Sequence, residues 1–314
     1  MEIYSNCTGS FVIENKKVID RMLFADPIVS NGLLDRGEET PEEQALLKKH
    51  SGAKIQKIRN IDEVILTANL QDMRKICISV VKNKMRHSVH DDLLIIQTIS
   101  NMEDLDKTIN LLSKRLREWY ELYNPEFSRA MPSHEMFVQK ILTNSKKDLL
   151  EQINAKETMG ADLPKKDVDA MMNLAKQIKE LFALKEKQLE YLATLMNSCC
   201  PNVTKISGVP IGAKLISLAG SLDRLSSFPA STVQLLGAEK ALFRHLRNKK
   251  NRSPKYGILH EHPFVLKVAG KNKGKMARTI ADKISIAAKI DVFKGKYFGD
   301  DLLKQVEKKM EQLK

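Results

Sequence analysis

The chain has 314 residues, 42% of them hydrophobic, and carries 52 Lys and Arg against 39 Asp and Glu. That length allows two or three packed domains. Its longest apolar runs, such as Leu93-Leu94-Ile95-Ile96, fall far short of the roughly 20 residues of a membrane-spanning helix, and Met1-Glu2-Ile3-Tyr4-Ser5-Asn6 has neither the basic nor the apolar region of a secretory signal.

Read in chain order, residues 1–86 are the least regular part. Short β-like segments, Phe11-Val12-Ile13 and Lys17-Val18-Ile19, flank a hairpin turn at Glu14-Asn15-Lys16. A helix is expected to begin at Pro41, because Thr40 suits the N-cap, Pro41 the first helical position, and Glu42 and Glu43 the positive end of the helix dipole. The region reads as a small α/β domain. Four cysteines, Cys7, Cys77, Cys199 and Cys200, show no Cys-x-x-Cys spacing and read as reduced thiols of an intracellular protein rather than a metal site.

Residues 87–200 read as helices. Over 91–123, Leu105, Ile109, Leu112, Leu116 and Trp119 step by four, three, four and three, which places them on one helical stripe. Asn124-Pro125 ends that helix. A second helical segment is expected over 133–156, broken from a third by Met159 to Pro164. The third, 164–197, carries Val168, Met171, Ala175, Ile178, Phe182, Leu189, Leu192 and Met196 at three-four spacing interrupted only at Lys185, the pattern of a coiled coil. A helix of that size is about 50 Å long, so a projecting hairpin is expected. Its two helices could satisfy each other; the preferred reading is that a stripe formed by Val168, Met171, Ala175, Ile178, Phe182, Leu189 and Leu192 dimerises against a second copy.

Residues 201–299 read as an all-α domain, followed by a mixed-charge helical tail at 300–314. One amphipathic helix is expected over 211–225, another from about Ser231, and a third over 276–290 with Ile280, Ile284 and Ala287 inward and Lys275, Arg278 and Lys289 outward. All the excess positive charge lies here: residues 201–314 hold 23 Lys and Arg against 9 Asp and Glu, whereas residues 1–200 hold 29 against 30. A surplus confined to one region points to a polyanion bound at one place, since each cation paired with a phosphate adds affinity through counterion release. Arg244, Arg247, Lys249 and Lys250 crowd one helix end with Glu239 as the only nearby acid. Leu242 and Phe243 read as packing residues, and Glu239 as a hydrogen-bond or salt-bridge partner of a neighbouring Arg.

Enzyme readings fare poorly. Gly270-Lys271-Asn272-Lys273-Gly274-Lys275-Met276 has three residues between its glycines instead of the four of a phosphate-binding loop, and Met276 stands where Ser or Thr would bind magnesium. His260-Glu261-His262 lacks the spacing of a zinc hydrolase, so residues 257–263 read as a structural turn. No strand leads into a Gly-x-Gly-x-x-Gly loop. No cofactor, metal or catalytic residue is assigned.

The run Ser231-Thr232-Val233-Gln234-Leu235-Leu236-Gly237-Ala238-Glu239-Lys240-Ala241-Leu242-Phe243-Arg244 resembles the signature of the Nop domain, the RNA-binding module of box C/D ribonucleoprotein core proteins. Pro254 to Leu259, His262-Pro263, Lys273 to Arg278 and Ile286 to Phe293 match later family elements in order, and Lys114 to Tyr120 looks like the family's entry into its coiled coil. The resemblance covers about residues 91–295. It implies a non-catalytic scaffold: residues 1–86 hold the methyltransferase fibrillarin, 87–200 dimerise, and 201–299 clamp a kink-turn guide RNA already bound by a small ribosomal-protein-like kink-turn protein, so that ribose 2′-O-methylation is guided on rRNA or tRNA. The RNA-binding positions it implies, joined to those the charge singles out, are Gln234, Gly237, Ala238, Glu239, Lys240, Arg244, Arg247, Lys249, Lys250, Lys275, Arg278 and Lys289. With few aromatics in the basic region, shape and phosphate recognition of a folded RNA is expected.

Two departures stand out: residues 1–86 align with no family motif, and Val268 to Asn272 is more basic and less aromatic than is usual. The absence of a long Lys-rich tail favours the archaeal type, which is cytoplasmic, over nucleolar eukaryotic relatives. The competing readings are a spliceosomal Nop-domain factor bridging small nuclear RNA and protein, and a generic RNA chaperone.

Overall fold

The computed structural model describes residues 1–15, 17–56, 70–155 and 157–313. The chain divides into two units, Met1–His90 and Asp91–Lys314, the division falling four residues beyond the one expected at 86. The architecture is mainly helical with one small N-terminal sheet, as expected.

In the first unit, β1 (Glu2–Ser5), β2 (Gly9–Glu14), β3 (Lys17–Leu23) and β4 (Lys54–Ile55) form a mixed sheet in the order β3-β2-β1-β4. The hairpin legible in the sequence is β2-β3, with a bulge between Val12 and Ile13; its turn includes Asn15 at φ 48°, and Lys16 lies outside the described residues. Asn6 makes the β1-β2 turn by accepting from the backbone N–H of Thr8 at 2.7 Å and Gly9 at 3.1 Å. Gly9 is required there because a side chain would run into the backbone of Met22 and Leu23.

Helix α1 (Pro27–Arg36) starts on the Asp26 cap and α2 (Pro41–Lys49) on a capping box between Thr40 and Glu43, as its sequence signals implied. Ile3 and Val12 pack with Leu46 and Ala53 on one sheet face, and Phe11 and Ile13 with Tyr4 and Val18 on the other, the two-residue alternation of a pleated strand. Helix α3 (Leu70–His87) completes the unit. None of the four cysteines is in a disulfide.

The second unit begins with α4 (Asp91–Tyr120) and returns along α8 (Lys165–Cys199), 35 residues or about 50 Å of helix. The pair is antiparallel: Leu116 and Tyr120 share a core cluster with Met171, Ala175 and Ile178, whereas Ile95, Ile99 and Met102 share another with Leu192 and Met196. Lys185, which interrupts the apolar spacing, pairs with Asp106 across the seam at 2.5 Å. The buried stripe of α4 passes through Ile109, Leu116 and Tyr120, while Trp119, expected on it, is 39% exposed. Tyr120 takes that place because Phe137 meets its ring edge-on, with centroids 5.4 Å apart.

Between the long helices the sequence reading needs correction. The segment expected as one helix over 133–156 is two, α6 (His134–Thr143) and α7 (Lys146–Gln152), because Ser145 forms a capping box with Asp148 and starts a new helix. Lys156 lies outside the described residues. A further short helix, α5 (Pro125–Ala130), begins on Asn124, which caps it by accepting from the Phe127 N–H. Arg117 ties this cap together: its guanidinium lies 4.5 Å from the Phe137 ring centre and donates to the carbonyls of Ser128 and Ser133 and to Nδ1 of His134.

After Cys200 come α9 (Pro201–Ser207), α10 (Val209–Ala219), α11 (Leu222–Ser227), α12 (Ala230–Leu235), α13 (Glu239–Arg247), a 3-10 turn (Ile258–Glu261), α14 (Pro263–Leu266), α15 (Lys273–Val292) and α16 (Gly299–Leu313). The helix expected over 211–225 is divided between α10 and α11, since Gly220 adopts φ 90° and Ser221 caps the second piece. Helix α15 forms the axis of this region. Its Met276, Ala277, Ile280, Ala281, Ile284, Ala287 and Ala288 are fully buried among the surrounding helices, while Lys275, Arg278 and Lys289 are exposed. Leu302, Val306 and Leu313 of α16 join the same core, as do Ile95, Ile99, Leu192 and Met196 at the base of the hairpin. Burial of apolar side chains at about 25 cal/mol per Å² therefore holds hairpin base and basic helices as one packed body.

Candidate nucleic-acid interface

The interface residues are set by a turn and a clasp. Helix α12 stops at Leu235, and Gly237, at φ 84°, reverses the chain in the left-handed region that favours glycine. Its N–H donates to Oε1 of Glu239 at 2.7 Å. Glu239 thus serves the turn itself, which accounts for an acid placed beside a cluster of cations. The segment 234–236 is clasped to 255–258: Gln234 donates from its side-chain amide to the Lys255 carbonyl at 2.5 Å, its own carbonyl accepts from Gly257 N–H at 2.8 Å, and Leu236 accepts from Ile258 N–H at 2.8 Å. Gly257 lies so close to Leu236 that any side chain would strike its backbone carbonyl. Gln234 is therefore half-buried and engaged within the chain.

Beyond the turn, α13 carries Ala238 as its N-cap residue and has no buried side chain among its nine. Leu242 is half-buried, in a depression shared with Thr232, Leu235 and Leu236. Phe243, expected to pack, is 61% exposed, and Leu246 is 62% exposed. That face of the helix therefore stands open. Lys240, Phe243, Arg244, Arg247, Asn248 and Asn251 line one groove. Asn251 closes the helix end by donating to the Arg244 carbonyl at 3.2 Å while its own carbonyl contacts His245 Nδ1 at 2.6 Å. Lys240, Arg244, Arg247, Lys249 and Lys250 are all exposed, and none forms an ion pair among the described residues.

The remaining cations divide. A Cβ on Gly274 would come within 3.6 Å of that of Lys255, so the start of α15, with Lys275 in its first turn and Arg278 in its second, adjoins the clasped loop. Lys289 is 14 residues beyond Lys275 on the same helix, about 21 Å away along its axis, and stands apart from the cluster. The turn at 257–263 is structural: His262 is buried, its Nε2 bonded to the Ile206 carbonyl at 2.9 Å and its Nδ1 accepting from Phe264 N–H at 3.2 Å. Burial holds its pKa below the ordinary 6.5. Both ring nitrogens are used.

Against this geometry, a family profile described as Nop, snoRNA binding domain, fibrillarin, matches residues 101–312. The chain belongs to the Nop family. An uncharacterized NOP5 family protein of Methanocaldococcus jannaschii is 41% identical over 239 residues, 71% of this chain and 57% of that protein. Nucleolar protein 56 of Caenorhabditis elegans is 36% identical over 260 residues, 74% of this chain and 53% of that protein, and nucleolar protein 58 of Saccharomyces cerevisiae is 37% identical over 230 residues, 68% and 45% of the two. The chain thus spans about half the length of the curated relatives it matches. A solved chain described as belonging to the crystal structure of a fibrillarin/Nop5p complex aligns with 99% of this chain at 24% identity and a TM-score of 0.47. All twelve positions read as RNA-binding fall inside the Nop match.

The seven Nop hairpin positions read as dimerising separate by burial. Met171, Ala175, Ile178 and Leu192 are buried against α4 and neighbouring helices of the same chain. Val168 and Phe182 are half-buried, and Leu189 is exposed, as are nearby Leu184 and Tyr191. Three-four spacing signals a packed seam without saying whose helix fills it. The open face of Phe243 and Leu246 is what sequence reasoning missed, since Leu242, Phe243 and Leu246 show the same spacing whether an amphipathic face packs inward or docks outward.

Proposed function

We propose that this Nop-family chain is a non-catalytic scaffold of a box C/D ribonucleoprotein. The carrying observation is the unpaired cation cluster on α13 beside an exposed apolar face. Arg244, Arg247 and Lys249 take phosphates of a kink-turn guide RNA, with Lys240, Lys250, Lys275 and Arg278 extending the same positive surface. Phe243 and Leu246 dock on the small kink-turn-binding protein, so RNA and protein are recognised together and neither alone fills the surface. Gly237, Ala238 and Glu239 bring the turn close to the RNA backbone.

The first unit holds the methyltransferase fibrillarin, supported by the exposed Ile19, Met22 and Leu23 on edge strand β3; the family profile, whose description names fibrillarin, matches residues 101–312 and lies outside that unit. Half-buried Phe182 and exposed Leu189, seven residues apart on one face of α8, offer an apolar surface through which a second copy pairs. The particle so assembled positions fibrillarin for guided ribose 2′-O-methylation, in the cytoplasm of an archaeon or the nucleolus of a eukaryote.

A gel-shift series with the full chain tests the reading. Tight binding to a kink-turn RNA only when the kink-turn protein is present supports it. Equally tight binding to any RNA without that partner overturns it in favour of a generic chaperone, and failure to co-purify with fibrillarin favours a spliceosomal role.

A further inference from the structure

The loop that joins α15 to α16 reads Phe293-Lys294-Gly295-Lys296-Tyr297-Phe298, three aromatics interleaved with two lysines and a glycine. Phe293 is 80% exposed, Tyr297 51% and Phe298 50%. Such exposure commonly accompanies a loose segment, but this loop is held in place. Gly295 N–H donates to the Ile290 carbonyl at 2.9 Å and closes the end of α15. Lys294 adopts φ 50°, the left-handed region in which lysine is uncommon. Phe298 N–H donates to Oδ1 of Asn202 at 2.7 Å, and Asp300, just beyond the loop, pairs with Lys205 at 2.9 Å. The aromatics are therefore preorganised in water.

Charge selects the occupant. The nearby acids are engaged: Asp291 accepts from α9, Asp300 pairs with Lys205, and Asp301 pairs with Lys304. Lys294 and Lys296 form no ion pair among the described residues. A face built for a protein partner is enriched in aromatics but depleted in lysine. Exposed rings alternating with unpaired cations are the combination that holds an unpaired polynucleotide, bases stacking on the rings and phosphates meeting the cations. The loop is also distant from the α13 surface: it follows the C-terminal end of α15, while Lys275 and Arg278 occupy the first turns of that 20-residue, roughly 30 Å helix.

We propose that loop 293–298 is a second RNA-binding surface, a stacking platform for an unpaired strand. This deepens the scaffold reading and rests on it only in taking RNA as the polyanion. One RNA would then be gripped at a folded element by α13 and along a single strand about 30 Å away, which fixes the direction in which the strand leaves the folded part.

Anisotropy of a fluorescein-labelled 12-nucleotide oligouridylate titrated with the full chain tests it, with an unlabelled RNA duplex of equal length as competitor. Phe293→Ala and Tyr297→Ala are each expected to weaken binding about 10-fold, as loss of one stacked base does, while Phe293→Tyr stays near wild type and thermal melts are unchanged. Lys294→Ala with Lys296→Ala should lower the salt slope by roughly 1.4 units at about 0.7 per contact. Arg244→Ala with Arg247→Ala should spare oligouridylate binding while losing the kink-turn complex. Unchanged affinity in both ring-removing variants, no oligouridylate binding by the wild type at millimolar concentration, or equal competition by the duplex overturns the proposal. Oligouridylate binding with no kink-turn binding by the wild type even in the presence of the kink-turn protein would overturn the scaffold reading and leave the platform standing.

Discussion

Asp291, near the end of α15, accepts from both the backbone N–H and the side-chain amide of Asn202, at 3.2 and 2.6 Å, and from Val203 N–H at 3.0 Å. One carboxylate thereby caps α9 and joins the central helix of the basic region to the segment that follows the hairpin. Asp291→Ala leaves three donors without that acceptor and is expected to cost about 2 kcal/mol, the sum of a lost cap and unsatisfied amides. In a unit of this size that lowers the melting temperature by roughly 4–8 °C. An unchanged melt would mean that water replaces the carboxylate at no loss.

The phosphate term is measured by salt. Replacing Arg244, Arg247 and Lys249 with Ala should reduce the slope of log affinity against log salt by roughly 2 to 3 units, at about 0.7 to 0.9 per contact. Filter binding from 50 to 400 mM salt, on the order of the range over which the phosphate term is steep, checks this. An unchanged slope would put the phosphate contacts elsewhere.

The turn at Gly237 depends on Glu239, so Glu239→Ala releases the amide that donates at 2.7 Å. The loss of about 1 kcal/mol of turn stability is expected to appear as about a 5-fold weaker RNA complex, with Glu239→Gln recovering part of it through its remaining acceptor oxygen. Stronger binding by Glu239→Ala, as simple removal of a negative charge from a phosphate site would give, contradicts the assignment.

His262 makes the basic region sensitive to acid. Its folded pKa lies below the ordinary 6.5 because burial disfavours the imidazolium, so its contribution to stability is present above pH 6.5 and is lost as pH falls through the depressed folded value. Protonation would also place a hydrogen on Nδ1 where Phe264 N–H now donates. Melting temperatures between pH 7.5 and about pH 5 should fall more steeply for wild type than for the less stable His262→Gln.

Much of this was legible from local rules. Thr40 and Glu43 made their capping box because its parts lie within three residues; Ile280, Ile284 and Ala287 faced inward because one helix spans them. What failed was set by partners distant in sequence. Trp119 yielded the seam to Tyr120 because of Phe137; the break at Ser145 is different, a local Ser145–Asp148 capping signal of the same kind as Thr40–Glu43 that the helical reading overlooked. In the interface, the cations could be read from charge alone. The internal use of Gln234 could not, since its acceptor, Lys255, comes from the far side of the clasp.

The central claim is that this chain supplies position and another protein supplies chemistry. Methyl transfer to a guide-matched ribose should be measured in a reconstitution of guide RNA, kink-turn protein, fibrillarin and this chain, leaving out each component in turn. The account predicts that modification is lost when this chain is omitted, and lost when Arg244, Arg247 and Lys249 are all alanine, with no transfer by this chain alone. Undiminished methylation in its absence, or transfer by the chain without fibrillarin, would contradict it.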